Sequence, residues 1–183
     1  MKNRYVKIAL VLVVLFAVNQ DVLAINFDSL KAQIVKDWQR AKAYTKTYLD
    51  IMPADKYTYT PVDTGKVRSF GGQMLHLAQG NILLLSNATG QHIDLKYPSL
   101  DKLPAAQSKD SVMYYVMYSY DYCIGVLNAM DANKLEEMVN SSGHSVSRFE
   151  WIMVGFEHQT HQRALCAMYI RLVGVKPPEE MLF

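Results

Sequence analysis

Apolar side chains recur at helical spacing in four long stretches of this chain, and little of it alternates with the period of two that marks a strand. Phe27, Leu30, Ile34, Trp38, Ala41, Tyr48 and Ile51 share a face, while Lys31, Lys36, Arg40 and Lys42 lie on others. This pattern predicts a first helix, capped by Asn26 or Asp28 and stopped by Pro53, which cannot donate inside a helix. Residues 53–64, rich in Pro and Thr, read as a connector. Asp63 or Thr64 is expected to open a second helix that buries Val67, Phe70, Met74, Leu77, Ile82 and Leu85. Gly71 and Gly72 inside it cost about 1 kcal/mol each in propensity but let a neighbouring helix come close. Residues 87–109 carry Gly90, Pro98 and Pro104 and read as a long turn-rich crossover, a length that is usually functional or locally structured. Ser108 opens a third helix that ends near Ala129 or Met130. A short helical piece is expected over 132–139, broken by Asn140-Ser141-Ser142-Gly143. Ser147 and Glu150 have capping-box spacing at the head of a last helix, 148–173, with Gly174 as its left-handed stop and Pro177-Pro178 beyond. Four long helices and one crossover predict an all-α chain folded as an antiparallel four-helix bundle.

The first 24 residues break this picture. Lys2, Arg4 and Lys7 precede the apolar run 8–18, and Val22-Leu23-Ala24 follows, which is the layout of a signal peptide cleaved after Ala24. The run is too short to span a bilayer, which takes about 20 residues. Residues 1–24 are therefore expected to be a leader and 25–183 a single domain, exported to the periplasm or secreted, with no stable membrane span. The whole chain has 19 Lys and Arg against 17 Asp and Glu. Without the leader 16 of each remain, so a nucleic-acid partner, which needs a basic surface, is not expected. The two cysteines, Cys123 and Cys166, exclude a disulfide scaffold and a Cys-rich zinc module. Both are expected to be buried free thiols.

Five histidines supply the candidate chemistry. His92 and His144 fall in predicted loops, whereas His76 lies in the second helix and His158 and His161 lie in the last. Imidazoles one turn apart on one helix, facing a third on another, form a common divalent-metal site. At about 100° per residue, His161 sits about 60° to one side of His158 and Gln162 about 40° to the other, so either can share its cleft. Glu157 is a weaker candidate for a general base. Tyr114, Tyr115, Tyr118, Tyr120 and Tyr122 either line a pocket or fill the core.

Several of these segments are similar to a known family. Val67-Arg68-Ser69-Phe70-Gly71-Gly72-Gln73-Met74-Leu75-His76, with Tyr57 to Pro61 upstream, resembles the segment carrying the first metal histidine of the DinB/YfiT-like superfamily. Phe156 to Arg163, then Tyr169-Ile170-Arg171-Leu172-Val173-Gly174 and Pro177-Pro178, resembles that family's last helix. The resemblance extends over about residues 26–178. It implies a four-helix bundle with a divalent metal, Zn²⁺ or Ni²⁺, held by one histidine of the second helix and two at i, i+4 on the last. His76 and His158 match the first two ligands, but Gln162 stands at the third, and Ala164 and Leu165 replace a Gly and a Gln. Gln162 then binds weakly through its oxygen, His161 substitutes, or the site is degenerate.

Two functions follow. One is an exported metal-dependent enzyme, of hydrolase or thiol-dependent transferase type, acting on a small molecule that the sequence does not name. Its nucleophile would be a water or thiol whose pKa the cation lowers. The other is a non-catalytic binding or scaffold protein. A homodimer is compatible with either.

Overall fold

The computed structural model describes residues 26–62, 65–91 and 99–183, and four long helices account for most of them. Helix α1 spans Phe27–Ile51, α2 Phe70–Thr89, α3 Lys109–Ala129 and α4 Arg148–Leu172. The segment read as a signal peptide lies outside the described residues, as does His92. Among the described residues no helix is long and apolar enough to cross a membrane.

Local chemistry sets the helix ends. Asn26 Oδ1 accepts from the Ser29 amide at 2.9 Å and Ser147 Oγ from the Glu150 amide at 3.1 Å, satisfying amides that an α-helix leaves unpaired. Ser108 Oγ caps α3 in the same way. Gly90 and Gly174 have φ of +76° and +82°, the left-handed conformation that ends α2 and α4.

Two expected boundaries are corrected. The second helix starts at Phe70, not after residues 63–64, which themselves lie outside the described residues. The connector explains the delay. The Phe70 amide donates to Tyr59 O at 3.0 Å and the Gly71 amide to Tyr57 O at 2.7 Å, so the turn that precedes them is bonded to the helix head. The same helix continues past Asn87 to Thr89, where Arg148 Nη1 donates to Ala88 O at 2.7 Å and caps its last turn.

The expected helical piece over 132–139 is the third correction. Only Ala132–Lys134 forms a 3-10 turn. Strand β1, Met138–Ser141, then pairs antiparallel with β2, His144–Ser147, with Val139 opposite Val146. Ser142 and Gly143 join them with φ of +50° and +80°, the pair of positive φ values that a two-residue hairpin turn of right-handed twist requires. The four residues read as a helix breaker are therefore a hairpin tip. Asn87 at the end of α2 holds that tip, donating to Ser142 Oγ and accepting from Ser141 Oγ.

The main helix contacts are α2 with α3 and α4, and α1 with α3 and α4. Lys31 reaches the Asn128 and Met130 carbonyls, while Lys109 reaches those of Asp50 and Met52, so α1 and α3 run in opposite directions. Ala88 with Arg148, and Gln73 with Gln162, give the same relation between α2 and α4. The core lies between them: Trp38 stands edge-on to Tyr120 and Phe156, and Phe70, Leu77, Leu85 and Ile152 are fully buried. The second-helix glycines do allow a close approach, but mostly by connectors. A Cβ on Gly71 would stand 3.1 Å from Tyr57 O and 3.3 Å from a Val112 methyl, and one on Gly72 would stand 3.1 Å from Asp101 O.

Candidate metal centre between the second and fourth helices

His76 projects from the middle of α2 towards α4, and His158 projects from the middle of α4 towards α2. Their rings meet edge to face, with centroids 5.3 Å apart. What lets α4 bring its imidazole so close is Gly80, one turn after His76. The His158 ring occupies the place where a side chain at residue 80 would begin, and a Cβ there would overlap it. Gln162 follows His158 by one turn, and its Nε2 stands 3.4 Å from His158 Nε2. The Gln162 Oε1 accepts from Gln73 Nε2, which spans the same two helices. Gln73 and Gln162 are both buried.

His161 goes elsewhere. It is exposed and lines a shallow groove on the outer side of α4 with Glu157 and Thr160. Glu157 is exposed as well. His144 sits on β2, edge-on to Trp151, rather than in a loop. Thus the fold brings together His76, His158 and Gln162, and leaves His161 on the neighbouring face. Among the described residues no three His, Cys, Asp or Glu side chains converge as a metal-holding group.

The two imidazoles are electrostatically suited to donate lone pairs. Burial pushes the His158 pKa down to about 4, and the charges of His76, His161 and Arg68 push the same way. Burial, then Arg68, also lowers the His76 pKa, against a weaker opposite pull from Asp101. Both rings are therefore neutral at pH 7. His158 Nδ1 is buried with no hydrogen-bond partner, an orphan that natural interiors rarely keep without a reason.

Arg68 and Asp101 surround this pair and carry no sequence signal as a site. Arg68 Nε donates to Asp101 Oδ2 at 2.6 Å, and Tyr169 donates to Arg68 O at 2.8 Å. Burial raises the Asp101 pKa, but hydrogen bonds from Arg68 and Ser99 and the Arg68 charge outweigh it and hold the carboxyl below its ordinary range. Asp101 Oδ1 remains buried and unpartnered. Only the tertiary fold could reveal this pair, because 33 residues separate the partners. Gly80 likewise looks like any helical glycine until α4 is packed against it.

The DinB family model matches residues 25–181. The chain belongs to the DinB family. Among solved structures, a DinB-like protein from Bacillus cereus superposes with a TM-score of 0.68 at 15% identity, covering 80% of this chain and 95% of that one. A DinB-like protein from Bacillus subtilis gives 0.63 at 17% identity, covering 82% and 96%. At such identities the likeness establishes the fold, mostly helical with four long helices. Comparison with curated proteins gives no match. The DinB segments carrying His76 and His158 are thus those that α2 and α4 place face to face.

The two cysteines take no part in the site. Cys123 and Cys166 are free and buried, as expected, and burial raises both thiol pKa values.

Proposed function

We propose that this DinB protein is an antiparallel four-helix bundle with a crossover over residues 90–108, and that its His76–His158–Gln162 cleft takes a divalent cation with modest affinity. The carrying observation is the edge-to-face pair of neutral imidazoles with an orphaned Nδ1 on His158. The two imidazoles of His76 and His158 fit a borderline cation such as Zn²⁺ or Ni²⁺, and the Gln162 carboxamide adds a poorer third donor only by turning its oxygen from Gln73 towards His158. A bound cation there supplies a Lewis acid that lowers the pKa of a water or thiol, the chemistry of a hydrolase or a thiol-dependent transferase. The chain's own part is to hold the two rings. Gly80 gives His158 its place, Gln73 holds the Gln162 amide, and Arg68 keeps Asp101 ionised beside His76. Residues 2–24 support export, and an intact mass beginning at Ile25 in the periplasmic or secreted fraction checks it.

Calorimetric titration of chelator-stripped protein with Zn²⁺ and Ni²⁺ tests the site. One-site binding that both His76→Ala and His158→Ala abolish is the expected result. Binding unchanged in both variants overturns it. A second reading, a binding or scaffold bundle without metal chemistry, draws on the engagement of Gln162 Oε1 by Gln73, which occupies the third donor. Absence of any Zn²⁺ or Ni²⁺ binding to the unaltered protein selects that reading.

A further inference from the structure

Around α2 from the histidine pair lies a second concavity, between α2, α3 and the 3-10 turns Leu100–Lys102 and Pro104–Ala106. It has a volume of about 450 Å³, within the range of small-molecule sites, and its walls are mainly apolar: Ala78 and Ile82 from α2, Leu100 from the first turn and Leu103 between the two. Three tyrosines of α3 complete it. Tyr114 and Tyr118 are 64% and 53% exposed and stack with 17° between their planes, while Tyr115 meets Tyr114 edge-on. Only Tyr120 of that run enters the core. Aromatic rings left this exposed around an apolar cleft offer faces and edges to a second aromatic system. The cleft's one amide is that of Gln79, whose Oε1 is buried and has no hydrogen-bond partner.

We infer that this tyrosine-walled cleft binds a small planar aromatic molecule bearing a hydrogen-bond donor, of the phenol or arylamine class. The apolar walls and the tyrosine rings hold the ring system, and the donor meets the Gln79 carbonyl as that side chain turns its buried Oε1 towards the cleft. The inference does not use the His76–His158 pair and stands whether or not a cation binds there.

Calorimetric titration with 2-naphthol, beside 2-methoxynaphthalene as the analogue without a donor, tests it. Saturable one-site binding of 2-naphthol is expected, at least fivefold tighter than the methoxy analogue. Gln79→Met should remove that preference. Tyr118→Ala, at an exposed position that leaves the fold intact, should weaken 2-naphthol at least fivefold, and Ile82→Trp should fill the cleft and abolish binding. His76→Ala should leave it unchanged. Absence of saturable binding overturns the inference. So does binding that survives both Tyr118→Ala and Ile82→Trp, including binding lost instead on Met168→Lys, which lies on the exposed outer face of α4.

Discussion

Gln162 stands one helical turn from His158 where the resemblance expects an imidazole, and the structure puts it in the cleft rather than beside it. Replacing its amide by imidazole adds a stronger donor without moving the helix. Gln162→His should tighten Zn²⁺ or Ni²⁺ binding at least tenfold, about 1.4 kcal/mol, by calorimetry. His161→Ala should leave affinity unchanged, because that ring faces the outer groove. Equal damage from His161→Ala and His158→Ala would mean that α4 rotates on binding. His158 also makes a pH signature. Its pKa is about 4 when folded and close to the ordinary 6.5 when unfolded. Between those values the unfolded chain takes up a proton that the folded one refuses, so stability is level above about pH 6.5 and falls as pH drops towards 4. In metal-free protein, His158→Phe should lose this component. Urea midpoints at about pH 7.5 and about pH 4.5 should fall less in the variant than in the unaltered protein.

At the scale of elements, what matters is how closely α2 and α4 approach. Gly80 is the device, since the His158 ring fills its side-chain space. Gly80→Ala gains about 1 kcal/mol of helix propensity, yet it must displace an imidazole wedged between two helices, which costs about 1–3 kcal/mol. The expected net is lower stability, together with a loss of metal affinity as large as that of His158→Ala. A thermal melt and a Zn²⁺ titration on the same sample read both. Unchanged affinity would show that His158 swings aside freely. The hairpin works at the other end of the same helix pair. Val139 is buried on it, Asn87 pins its tip, and Arg148 spans from Glu137 to the Ala88 carbonyl in the last turn of α2.

Over the whole molecule, α1, α3 and α4 meet around a buried polar network as well as an apolar core. The Tyr120 hydroxyl donates to Gln159 Oε1 at 2.8 Å and lies 2.7 Å from Thr45 Oγ1. Arg163 donates to the same two groups, and its guanidinium lies 4.7 Å from the centre of the Tyr44 ring. A buried network of this kind is costly to leave half-satisfied. Tyr120→Phe should destabilise the fold by about 1–3 kcal/mol in urea denaturation, with no change in metal affinity. A neutral effect would show that Arg163 alone satisfies Gln159 and Thr45. The sequence by itself determined the four helices, because apolar spacing, Asn26, Ser108, Ser147, Pro53 and Gly174 act within a few residues of where they stand. The same locality made His76 and His158 legible as candidates, through motifs read along single helices. It misplaced the start of α2, because the connector at Tyr57 and Tyr59 binds the head of that helix from 11 to 14 residues away in the chain. It missed the hairpin, whose two short strands carry almost no pattern and are fixed by pairing and by Asn87. Tertiary structure alone chose Gln162 over His161, since both angles fit until α2 fixes which side of α4 is inside. It also set Arg68 against Asp101 and turned three tyrosines outward around a cleft, because such contacts depend on helix packing and not on spacing along one helix.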